Sequence, residues 1–101
     1  MSHLSAVLSV VASERLAVLS AKSFDELVML PSHSSDEVVR DGYKLTVSVW
    51  HDLLESGEHR VVVKVGKPGV LASWRFHAEG FVITNRNERR ALTEDERMPF
   101  S

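Results

Sequence analysis

Three runs between Tyr43 and Ile83 alternate apolar and polar residues with a period of two, and this pattern restricts the chain more than any other. Leu45, Val47 and Val49 alternate with Lys44, Thr46 and Ser48. Val61, Val63 and Val65 alternate with Arg60, Val62 and Lys64. Trp74, Phe76 and Ala78 alternate with Ser73, Arg75 and His77. Successive strand residues point to opposite faces, so the pattern predicts successive antiparallel strands with one buried and one wet face.

The 101 residues suffice for one domain with one modest core. A formal charge of −2 gives no global attraction to nucleic acid or anionic membrane, though it leaves room for a local basic patch. The absence of cysteine excludes disulfides, thiol chemistry and cysteine-ligated zinc, and suits a reducing compartment. No apolar run approaches the roughly 18 residues that span a bilayer. Leu4 to Ala12 is broken by serines and has no Lys or Arg before it, unlike a signal peptide. The expectation is a cytoplasmic protein without membrane contact.

Ahead of the strands, Leu4, Val7, Leu8 and Val11 share one helical face that Leu16 and Leu19 extend, predicting a helix over 4–22. Ser23-Phe24-Asp25-Glu26 is a capping box that opens a second helix, Phe24 to Met29, ended by Pro31. Ser32 to Ser35 reads as a polar loop. Asp41-Gly42, flanked by valines and Leu45, predicts a type I′ hairpin pairing Arg40 with Tyr43 and Val38 with Leu45. The competing reading has Ser34 and Glu37 capping a helical turn.

In the next hairpin the predicted register sets Val49 against Val61 and Val47 against Val63, with His51 facing His59 at the mouth. Lys67-Pro68-Gly69 predicts the following turn. Parity then slips: Trp74, Phe76 and Ala78 are even-numbered, whereas Phe81 and Ile83 are odd. A β-bulge at Glu79-Gly80 reconciles them. Arg89 to Leu92 predicts a short edge strand, and Thr93 with Glu96 a second capping box.

The fold expected is therefore a single α+β domain over 1–101. One or two N-terminal helices (1–31) pack on one face of a four- to five-stranded antiparallel meander (36–92), before a C-terminal turn (93–101). The expected core holds Leu8, Val11, Leu19, Leu27, Leu45, Val47, Val49, Val61, Val63, Val65, Trp74, Phe76, Phe81 and Ile83.

Phe-Asp-Glu-Leu at 24–27, Ala-Glu-Gly-Phe-Val-Ile at 78–83 and Leu-Thr-Glu-Asp-Glu at 92–96 resemble a group of small bacterial proteins of no established function. These share a valine-rich strand, a Pro-Gly turn and a Glu-Gly-Phe strand. The resemblance covers about the last two-thirds of the chain and implies a fold and a bacterial origin. It implies no activity.

Three constellations bear on chemistry. His51 and His59 across a hairpin supply half a metal site, with Asp52, Glu55 and Glu58 near. Two solvated histidines at a hairpin end are the plainer explanation. His77 and Glu79 share a face at i, i+2, the start of a general base, but no nucleophile motif accompanies them, and a polar cross-strand network accounts for them equally. The wet face collects Lys44, Trp50, Arg60, Lys64, Arg75 and His77, a basic surface with one aromatic residue, which single-stranded nucleic acid requires. Val39, Val62 and Val82 join Trp50 in an apolar strip of the kind found at contact surfaces. The residues point first to a non-catalytic protein-interaction or self-associating module with a protein partner or a homodimer. Nucleic-acid binding through the basic face is the alternative. A metal-dependent or hydrolytic enzyme using His51, His59 or His77 is the second. No catalytic residue and no cofactor is assigned.

Overall fold

The computed structural model describes residues 3–67 and 75–100. Helix α1, His3–Ser20, contains no Gly or Pro and buries Val7, Leu8, Val11, Ala12 and Leu19. By length and composition it is apolar enough to cross a membrane, which differs from the expectation that no apolar run reaches that length. Here its apolar face packs on the sheet. The predicted capping box opens α2, Phe24–Val28: the Ser23 hydroxyl accepts from the Glu26 N–H, and Glu26 Oε1 accepts from the Ser23 N–H at 3.2 Å.

Five strands follow in meander order: β1 (His33–Arg40), β2 (Tyr43–Leu53), β3 (His59–Lys67), β4 (Arg75–Ile83) and β5 (Arg89–Ala91). β1 thus begins inside the stretch predicted as a polar loop. A helical turn α3 (Glu94–Arg97), capped by Thr93 and Glu96 as predicted, closes the chain with a 3₁₀ turn, Met98–Phe100. The result is the expected α+β fold, an N-terminal helix on a five-stranded antiparallel sheet.

The first hairpin has the predicted turn and register. Asp41 and Gly42 take φ of 52° and 82°, as type I′ demands, and Arg40 pairs with Tyr43. In the second hairpin the register is shifted by two residues from the expected one. Val49 opposes Val63, Val47 opposes Val65, and the ladder runs on to Leu53 against His59. A tight loop permits this. The Leu54 N–H donates to the Glu58 carbonyl at 2.8 Å, the Gly57 N–H donates to the Leu54 carbonyl at 2.9 Å, and Gly57 sits at φ 88°. The β4–β5 loop repeats the device, with Thr84, Glu88 and Asn87 at φ 64° in the same roles.

No bulge interrupts β4. Its pairing with β3 is continuous from Lys67–Arg75 to His59–Ile83. His77 and Glu79 therefore share the helix-covered face with Phe81 and Ile83, and Phe76 falls on the opposite face, 41% exposed instead of in the core. Trp74 and the Pro68-Gly69 turn lie outside the described residues. The remaining predicted core residues are buried, and Val7 and Ala12 of α1 join them.

The second face has a small core of its own. Val62 and Val82, predicted as part of an exposed strip, are buried beneath Leu92, with Leu54 and Ala78 at the margin. The C-terminal segment thus seals one half of the face the alternation marks as wet. Gly80 makes room for it. A Cβ there would collide with the Val61 carbonyl oxygen and stand 2.9 Å from Leu92 Cδ1.

Candidate functional site

Alternation places Thr46, Ser48 and Trp50 of β2 in line on the second face, beside Lys64 and Gly66 of β3. Uninterrupted parity in β4 adds Phe76 across from Gly66. These six residues line a groove of about 330 Å³ in the half of the face that the C-terminal segment does not cover. Gly66 contributes no side chain between Thr46 and Phe76, which keeps that row low. Trp50 stands as the wall on one strand, stacked on His33 with ring centres 4.7 Å apart. Phe76 stands on the other, with the Lys64 ammonium 4.0 Å above its ring centre. This is a cation–π contact, so the charge stays at the groove while its stem covers apolar surface. The chemistry on offer is two apolar walls, one cation and two hydroxyls.

Of the residues the sequence singled out, Trp50 and Lys64 meet here. Arg60 lies farther along the same face and is committed. Its guanidinium forks onto Asp52 at 2.9 and 2.6 Å, and donates to the Glu96 carbonyl at 2.8 Å. Lys44 is exposed and 3.8 Å from Glu37. Arg75 takes its place in β4 opposite Lys67, and its side chain lies outside the described residues. His77 is on the opposite face altogether. Phe76, which joins the site, was assigned to the core. Counting parity back from Phe81 and Ile83 without a bulge would have found it.

Acid and base are matched elsewhere on this face too. Arg90 forks onto Glu96 at 2.7 and 2.8 Å and reaches Glu58 at 3.3 Å. The Arg90 fork, aided by the Thr93 N–H, holds the Glu96 carboxyl down to about 2 and raises the Arg90 guanidinium. Glu58 is lowered by Arg90 and by the Ser56 hydroxyl.

His51 and His59 do come together, diagonally across β2 and β3 under α2. His51 Nε2 is 2.8 Å from His59 Nδ1, and His51 Nδ1 donates to the Leu30 carbonyl at 3.1 Å. Both nitrogens of His51 are thus engaged within the chain. His59 rests edge-on against Phe24. Burial, then the neighbouring His51, lowers its pKa. Among the described residues no group of three His, Cys, Asp or Glu gathers to hold a metal ion.

His77 Nε2 is 2.9 Å from Glu79 Oε1, and the Ser13 hydroxyl of α1 donates to Glu79 Oε2 at 3.1 Å. The carboxylate stands between hydroxyl and imidazole. In a Ser-His-carboxylate triad the imidazole contacts the hydroxyl, and here the carboxylate does instead, so the order is not that of a triad and the contact ties α1 to β4.

No family model matches the chain, and neither a curated protein nor a solved structure matches it.

Proposed function

We propose that the protein is a non-catalytic interaction module whose working surface is the groove between Trp50 and Phe76. The occupant is an apolar side chain of a protein partner, with an adjacent carboxylate on Lys64. One observation carries the reading: Trp50 and Phe76 line one groove from different strands, next to a lysine that lies over the Phe76 ring. Aromatic anchors in small pockets with one placed charge are what binding hot spots consist of. Protein contact is favoured over nucleic acid because Arg60, Lys44 and Arg90, further cations of the face, stand against Asp52, Glu37 and Glu96.

The test is an amide-resolved NMR titration of the whole chain with two short peptides, one carrying Phe-Asp and one Phe-Lys, and separately with a single-stranded oligonucleotide. Shifts at Thr46, Ser48, Trp50 and Gly66 with the Phe-Asp peptide, lost in Lys64→Ala, are expected. Equal response to both peptides, or none to either, removes the proposal. Salt-reversible shifts with the oligonucleotide alone transfer the face to nucleic acid.

A further inference from the structure

β1 is an edge strand: it pairs with β2 on one side, and among the described residues no strand pairs with the other. The hairpin decides which backbone groups look outward. Residues flanking a two-residue turn bond each other, so Arg40, and by alternation Val38, Asp36 and Ser34, turn their N–H and C=O groups to β2. The bond from the His51 N–H to the Ser32 carbonyl, 3.0 Å, keeps this alternation. Ser35, Glu37 and Val39 therefore aim backbone donors and acceptors at the open edge, the template on which another strand adds.

The flank of that edge is apolar and charge-balanced. Val39 is 71% exposed, and α1 leaves Val10 and Val18 exposed beside it. Two hollows of about 260 and 250 Å³ lie between α1 and β1, lined in part by Val10, Val18 and Val38. Arg40 pairs with Glu14 at 2.7 Å and Arg15 with Asp36 at 3.2 Å, so the formal charges of these four cancel. Such a surface complements itself better than it complements a strongly acidic or basic partner.

Residues directly opposite in a sheet share a face, so a twofold axis through an antiparallel β1 pair passes through a residue's own copy. An axis at Asp36 or Glu37 sets a carboxylate against itself, which is unfavourable. An axis at Val38 sets valine against valine, Asp36 against Arg40 of the partner subunit, and Glu37 against Val39 of the partner subunit. We propose that the protein forms a twofold dimer through β1 with Val38 on the axis, a second copy extending the sheet and both α1 helices lying on one face. This contact does not use the Trp50–Phe76 groove, and either proposal stands without the other.

Sedimentation of the whole chain at rising concentration tests it, with far-UV circular dichroism to confirm folding of each variant. A mass of twice 11.3 kDa is expected. Val39→Glu, facing Glu37 of the partner subunit, weakens the dimer about tenfold or more. Val39→Lys, facing the same carboxylate, leaves it intact or tightens it. The chain has no cysteine, so Val38→Cys oxidises to a covalent dimer and Ser35→Cys does not. A wild-type monomer at every concentration, equal effects of the two Val39 substitutions, or equal cross-linking at positions 35 and 38 would overturn the proposal. Should Val38→Cys fail to fold, the Val39 pair decides alone.

Discussion

His51 and His59 share one hydrogen bond, Nε2 to Nδ1 at 2.8 Å, while the Leu30 carbonyl accepts from His51 Nδ1. With that nitrogen protonated, a neutral His51 accepts at Nε2 and His59 donates. When both rings are charged, two N–H groups meet head on. The link from α2 through β2 to β3 therefore accommodates one proton fewer than two free histidines do. The His59 pKa is lowered by burial and by His51, below the ordinary 6.5. A group so lowered contributes stability that is present above its unfolded value and is lost as pH falls from there through the lower folded one. Urea stability should drop as pH is lowered from about 7 to about 5. His59→Gln should flatten that dependence, and an unchanged slope would refute the assignment.

Gly80→Ala places a methyl group against the Val61 carbonyl and Leu92 Cδ1. Backbone on one side cannot yield, so overpacking should cost about 1–3 kcal/mol in denaturant unfolding. Gly80→Ala combined with Leu92→Ala should show non-additive costs, because one of the two obstacles is gone.

Glu96 anchors the segment that carries Leu92 over Val62 and Val82. Its carboxyl titrates at about 2 in the folded chain against 4.5 when unperturbed, through Arg90 first and the Thr93 N–H second. A lowered acid stabilises above the unfolded value and loses that contribution as pH falls through the folded one. Leu92 methyl signals should broaden or shift as pH drops from about 4.5 toward about 2, and Glu96→Gln should show the loosened state already at neutral pH. Identical methyl spectra in the variant would count against the anchor.

The loops 54–58 and 84–88 share one hydrogen-bond pattern, with a left-handed residue supplied by Gly57 in one and Asn87 in the other. A Cβ at Gly57 meets nothing within 4 Å, so only backbone strain opposes substitution. Gly57→Asn should stay within about 0.5 kcal/mol of wild type. Gly57→Val should cost about 1–2 kcal/mol. Equal losses from both would mean that the loop does not hold the left-handed conformation.

The register of β2 against β3 and the parity of β4 escaped the sequence for different reasons. Sliding β2 against β3 by two residues leaves every side chain on its face, so alternation cannot distinguish Val49 opposite Val61 from Val49 opposite Val63. The short loop closed by Leu54 and Glu58 made the choice. In β4, large aromatics invited placement of Phe76 in the core, and a bulge was needed to reconcile Phe81. The structure instead leaves Phe76 on the second face beside Lys64, and lets His77 and Glu79 satisfy each other at the margin of the helix-covered face.

Local chemistry alone determined the Asp41-Gly42 hairpin, both capping boxes and the buried parity of β2 and β3. Each depends on a backbone conformation or a side-chain period that near neighbours set. Tertiary structure decided what lies on the second face. Leu92 arrives from far along the chain to bury Val62 and Val82, Arg60 finds Asp52 across the strands, and Trp50, Lys64 and Phe76 come from three strands to wall one groove. Such meetings depend on register between distant segments, which a period of two leaves free.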